Sequence, residues 1–165
     1  MDTKYSIIIG IVAMTLFAAK TVSSQGIAIL KQREELRLKK YKDIAGIWTV
    51  GYGHVILPSE KLDTITPEKA EQILRKDLKI AESVVNRYVS VPLTPGQFDA
   101  LVSLVFNIGE GNFSGSTLLE KLNKYDYQGA LAEFPRWNKA RQNGELRVSQ
   151  GLINRRKEEQ EMFIA

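Results

Sequence analysis

The 165-residue chain has no cysteine and a single histidine, and it contains almost no long hydrophobic run. Without cysteine there is no disulfide, thiolate metal site or thiol nucleophile, so any regulation must use something other than thiol exchange. The lone histidine, His54, makes a poor ligand set for a metal. No internal repeat or low-complexity tract is present, and the length suits one domain rather than two. Lys and Arg number 23 against 19 Asp and Glu, giving a net charge of +4 and a pI near 9.2. That balance favours a polyanionic partner such as a nucleic acid, an anionic membrane or an acidic cell wall. No recognition motif or aromatic-interleaved basic strand supports nucleic acid.

The one extended apolar run is Ser6 to Ala19, "SIIIGIVAMTLFAA", followed by Lys20 and the weakly polar "TVSSQG". A stable membrane helix needs about 20 mostly apolar residues and a signal peptide an apolar centre of roughly 7–15, so this run falls between the two. Three readings compete: a cleaved signal peptide, a permanent anchor, and an uncleaved segment that enters the membrane and later leaves it. A buried core helix is a fourth, although a helix apolar all round must be enclosed on every side. Lys31, Arg33, Arg37, Lys39 and Lys40 follow the run, and the positive-inside tendency would keep that side cytoplasmic. The shift in composition near Gln25 divides the chain into residues 1–25 and a body of residues 26–165.

In the body, Gly26 to about Lys31 reads as a helix with Glu34 one turn beyond it. "YKDIAGIWTVGYGHVI" changes to a period of two, with Gly46 as a turn, which predicts a small hairpin whose glycines leave one face nearly bare. "TPEKAEQILRKDL" from Thr66 and "TPGQFDALVSLVF" from Thr94 each open with a threonine cap and a proline at the first helical position. The second, apolar from Ala100 to Ile108, suits a central helix, and shorter helices follow it. The expected class is α+β, mainly helical with a small β-hairpin lobe.

Eight residues separate Glu34 from Asp43, and five separate Asp43 from Thr49. A helix end, a loop and a strand so spaced can converge on one cleft. Glycosidic hydrolysis needs one carboxyl that protonates the leaving oxygen and a second that activates water or stabilises the cationic transition state. Spacing alone does not separate this from a plainer reading, in which Glu34 pairs with Lys31 or Arg37 on a solvated helix face and Asp43 forms a turn. Glu35 fits the acid's place as well as Glu34 does.

The stretch "EELRLKKYKDIAGIWTVGYGH", Glu34 to His54, closely resembles the active-site segment of the phage lysozymes of glycoside hydrolase family 24, where Glu, eight residues, Asp, five residues and Thr form a triad. The resemblance continues through "LTPGQFDALVSLVFNIGEGNFSGSTLLEKLN" and "GLINRRKEEQEMF", so it covers nearly everything after Gly26. The apolar start resembles the signal-arrest-release segment of a subgroup of these endolysins. The resemblance implies a lysozyme-like fold with an N-terminal apolar helix. It also implies a muramidase that hydrolyses, with inversion, the β-1,4 bond between N-acetylmuramic acid and N-acetylglucosamine in peptidoglycan for host lysis. A catalytically silent wall-binding or membrane-anchored module is the alternative.

By the same resemblance Glu34 is the general acid, Asp43 the second carboxylate and Thr49 the residue that positions water. It selects Glu34 over Glu35, because the family usually has glycine at the latter position. Val55, Phe106, Asn107, Ser116, Thr117 and Asn143 align with saccharide-contacting positions, while Phe106 fits the core equally well. His54 is expected to pair with Asp77 as structural support, and Arg156 to approach the catalytic glutamate, with Arg155 adjacent. No cofactor or metal is implied. The partners are peptidoglycan and, through residues 5–25, the host inner membrane, spanned once with the N-terminus inside before release to the periplasm. Lacking cysteine, the chain cannot be activated by disulfide isomerisation, unlike part of that subgroup.

Overall fold

Helix α1, Ser24–Arg33, starts where Ser23 caps it, the serine Oγ accepting from Gly26 N at 3.0 Å. It stops at Glu34, whose own N–H still bonds to Leu30 O at 3.0 Å. The computed structural model describes residues 20–43, 46–142 and 144–165. The expected apolar helix and the membrane segment as far as Ala19 lie outside the described residues. Among these, no helix is long and apolar enough to cross a membrane. The compositional division at Gln25 falls inside the first turn of α1.

After α1 the chain makes a three-stranded antiparallel sheet, β1 (Arg37–Lys42), β2 (Trp48–Gly51) and β3 (His54–Val55), in sequence order. Tyr41 pairs with Thr49 and Lys42 with Trp48 across the first turn, and Thr49 pairs with Val55 across the second. The expected bare strand face is instead a tight turn. Gly51 and Gly53 have φ of +67° and +83°, a conformation that side-chain-bearing residues resist, so they reverse the chain between β2 and β3. The outer edge of β1 is held to the loop before α2 by Lys40 N to Asp63 O and Ile65 N to Leu38 O, at 2.9 and 2.8 Å.

Helix α2, Pro67–Tyr88, begins with the predicted Thr66 cap and buries Ala70, Ile73, Leu74, Leu78, Ala81, Val84 and Val85 along one stripe. Helix α3, Pro95–Ile108, has a full capping box between Thr94 and Gln97, and every residue from Phe98 to Val105 is buried. It is the central helix, packed by α2 on one side and by α7, Gln150–Ile164, on another. Between them run α4 (Glu110–Ser114), α5 (Thr117–Asn123), α6 (Tyr127–Leu131) and a 3-10 turn at Phe134–Arg136. A second, exposed hairpin of β4 (Lys139–Gln142) and β5 (Glu145–Val148) precedes α7, in a stretch for which the sequence reading assigns no element. The Asn143–Gly144 dipeptide is its sequence signal, and Gly144 takes the required positive φ of +85°.

Candidate active site

Glu34 sits where α1 gives way to the sheet lobe, its side chain 24% exposed and ion-paired with Arg155 of α7. Gly53 lies beside it: a Cβ there would stand 3.6 Å from Glu34 Oε2, in ordinary contact. The cations that could have paired with Glu34 on its own segment are engaged elsewhere, Lys31 with Glu71 at 2.8 Å and Arg37 with Glu35 at 2.7 Å. Glu35 points to solvent at 74% exposure. The two acids are therefore distinguished by environment.

Asp43 and Thr49 are both tied to Ile47. The Ile47 carbonyl accepts from Asp43 N at 3.0 Å and from Thr49 Oγ1 at 3.1 Å, while Asp43 Oδ1 accepts from Ile47 N at 2.8 Å. An aspartate that closes its own turn has little rotamer freedom left, so its carboxylate is fixed relative to the threonine hydroxyl. Thr49 is buried, and Val55, its cross-strand partner, is exposed at the lobe surface. Tyr41 is paired with Thr49 across the sheet. Its phenol is pushed up, first by burial, against Arg37, with Glu34 and Asp43 adding in the same direction as burial.

The other predicted contacts lie on the helical body. Phe106 is half-buried against the core near the end of α3 and Asn107 is exposed beside it. Ser116 caps α5, accepting from Leu119 N at 3.1 Å, and with Thr117, Asn112, Arg136 and Trp137 it lines a hollow of ≈ 350 Å³. Asn143 lies outside the described residues. A second hollow, ≈ 380 Å³, is lined by Glu34, Arg155, Ser149 and Leu152. Larger hollows of ≈ 510 and ≈ 530 Å³ run between α1 and the end of α7 and hold none of the candidate residues. Chemistry rather than volume locates the site.

His54 Nδ1 lies 2.7 Å from Asp77 Oδ2, and Nε2 lies 3.0 Å from Glu60 Oε2, a partner that the sequence does not reveal. Both ring nitrogens face carboxylate oxygens, which only accept, so the doubly protonated ring alone satisfies both. Burial opposes that charge, but hydrogen bonds to Glu60 and Asp77 outweigh it and raise the pKa above 6.5. The cluster joins β3, the 57–60 loop and α2.

Arg156 is not where the resemblance implies. Arg155 pairs with Glu34, whereas Arg156 is 1% exposed and paired with the fully buried Glu159. One residue along a helix is about 100° around it, so the two arginines point to different surroundings.

The family profile described as phage lysozyme matches residues 31–159. An endolysin of Acyrthosiphon pisum secondary endosymbiont phage 1 is 48% identical over 145 residues, 86% of this chain and 97% of that one. A SAR-endolysin of Enterobacteria phage P21 is 38% identical over 124 residues, 75% of this chain and 73% of the other. Among solved structures, the endolysin from Escherichia coli O157:H7 phage FAHEc1 superposes with a TM-score of 0.83 at 35% identity, covering 89% of this chain and 95% of that one. The helical body with its small sheet lobe is accordingly the lysozyme-like fold, and with a matching profile over most of its length the chain belongs to the phage lysozyme family and is a lytic glycoside hydrolase.

Proposed function

We propose that this lysozyme is an inverting muramidase that cleaves between N-acetylmuramic acid and N-acetylglucosamine, with Glu34 as acid, Asp43 as base and Thr49 holding the water. The observations that support the reading are the pairing of Glu34 with Arg155 beside Gly53 and the turn that locks Asp43 and Thr49 onto Ile47. In the reaction, the Glu34 carboxyl in its protonated form, rather than the carboxylate that pairs with Arg155, gives its proton to the glycosidic oxygen as the bond from that oxygen to the muramic C1 breaks. Water held by Thr49 attacks C1 from the opposite face and loses a proton to Asp43, leaving the configuration inverted. Val55, Phe106, Asn107, Ser116, Thr117 and Asn143 line the path of the glycan.

Residues 5–25 are the membrane segment in this reading, held in the host inner membrane with the N-terminus inside before release to the periplasm. The docking of residues 20–23 on the body supports a switch. Lys20 N and O bond with the Asn86 amide at 3.0 and 2.9 Å, Val22 N with Glu82 at 2.8 Å and Ser23 N with Asp99 at 2.9 Å. These residues cannot occupy the bilayer and this clasp at once, so membrane insertion pulls on the helix that ends in Glu34. Equal activity of tethered and released full-length protein would sink the switch.

Cleavage of purified peptidoglycan by wild type and by Glu34→Gln tests the chemistry. An α-anomeric muramic product from wild type, lost in the variant, is expected; a β-anomeric product would exclude inversion, and an active variant would exclude Glu34 as the acid.

A further inference from the structure

Two ionic side chains sealed in the core, Arg156 and Glu159, have no step in the hydrolysis above. Taking two charges out of water is costly, and apolar residues of the same volume usually serve a core at least as well. Stability is therefore a poor reason for the pair. Its connections supply a better one. Glu159 Oε1 accepts from Arg156 Nη2 at 2.9 Å and from Ser103 Oγ at 2.7 Å, and Arg156 Nε stands 2.8 Å from Glu159 Oε2. Ser103, itself fully buried in α3, accepts in turn from Arg33 Nη1 at 2.9 Å. The same Arg33 nitrogen lies 3.8 Å from Glu159 Oε1, and Arg33 Nε is held by Glu158.

One carboxylate thus ties together α1, α3 and α7. The residues it anchors on α1 and α7 are chain neighbours of the two groups that meet at the site: Arg33 precedes Glu34, and Arg156 follows Arg155. We infer that Ser103 and Glu159 are positioning residues which, through Arg33 and Arg156, set Glu34 and Arg155 relative to each other and so aim the Glu34 carboxyl at the glycosidic oxygen. Ser103 is the relay, accepting from one helix and donating to another within an otherwise mostly apolar stretch of α3. The charges of this network converge on Glu159. Burial pushes its carboxyl up, and Arg156, Ser103, Arg155 and Arg33 all act against that rise. Burial brings Arg156 down to about 10, which leaves it protonated at neutral pH. The inference rests on the reading of Glu34 as the acid.

The test uses the full-length protein on soluble glycan fragments, with kcat, KM and the melting temperature measured together. Ser103→Ala removes the relay hydroxyl and leaves the Arg156–Glu159 pair. Leu104→Ala, next to it and equally buried but outside the network, is the control for general loosening of α3. Displacing a reacting group by about 1 Å costs up to roughly 100-fold in rate, so Ser103→Ala should lose about 10- to 100-fold in kcat with KM within about twofold. Leu104→Ala should lower the melting temperature more and keep kcat. The double variant Arg156→Met with Glu159→Leu, which keeps the core filled, should stay folded and lose kcat as Ser103→Ala does. Wild-type kcat in Ser103→Ala, or losses in both α3 variants that simply track the melting temperature, would overturn the positioning role while Glu34→Gln remains inactive. Turnover retained in Glu34→Gln would instead overturn the acid assignment, and this inference with it.

Discussion

Replacing His54 by glutamine removes the ring that bridges Asp77 and Glu60 and leaves two carboxylates facing a neutral amide. In the wild type the ring makes contacts of 2.7 and 3.0 Å to these groups, and its side chain is 12% exposed. A hydrogen bond to a charged group contributes about 1.5–3 kcal/mol, and the two acids keep enough solvent contact to rehydrate in part, so about 2–3 kcal/mol is the expected loss in mildly acidic solution. For a chain of this size that is roughly 5–10 °C in melting temperature. The pH dependence is the sharper test. The folded-state pKa of His54 lies above its ordinary 6.5, so its charge-dependent stabilisation is fully present below pH 6.5 and is lost as pH rises through the folded value. Glu60 acts in the other direction: the Leu57 N–H and His54 hold its carboxyl below 4.5, so its share fades as pH falls through the folded value. The gap between wild type and His54→Gln, read from thermal melts, should be widest near pH 5.5 and narrow toward pH 9. A gap of the same size at both ends would mean that the ring is never an imidazolium, and would refute the reasoning.

Arg156→Met alone strands Glu159 as a buried charge and should cost about 3–5 kcal/mol in denaturant titration, whereas the Arg156→Met, Glu159→Leu pair should be neutral or stabilising. Gly96→Ala should destabilise by about 1–3 kcal/mol, because its Cβ would fall 2.3 Å from the Met162 carbonyl oxygen and force α3 away from α7. Ser23→Ala should cost about 1 kcal/mol through loss of the α1 cap, and Ser23→Gly less, as measured by urea midpoints.

The long helices were legible because threonine, proline and apolar spacing all agreed: Thr66 and Thr94 cap α2 and α3 at the expected residues. The sheet lobe was legible as a hairpin but not as three strands, since "RLKKYK" of β1 is charged and carries no alternation of apolar residues. It pairs because β2 offers it a partner, which is a tertiary fact. The β4–β5 hairpin fails the periodicity test for a related reason: β5 is exposed at every residue, so nothing in burial marks it and only the Asn143–Gly144 turn does. Glu60 is invisible in sequence because a loop side chain meets His54 only through the shape of the turn at Pro58.

The arginine register shows most clearly where composition misleads. Arg156, Glu159 and Phe163 recur at the spacing of one helix face, and all three are buried, yet charged residues are almost never fully buried unless paired. From sequence alone that face therefore reads as solvated, and either arginine could serve the acid. The buried Arg156 is made tolerable by Glu159 and the Trp137 carbonyl, with Ser103 and Arg33 on facing helices completing the partners of Glu159, and once Arg156 is turned inward, Arg155 is the one that faces Glu34. The identity of the arginine at the acid is thus decided inside the core, by contacts among three helices, rather than at the cleft.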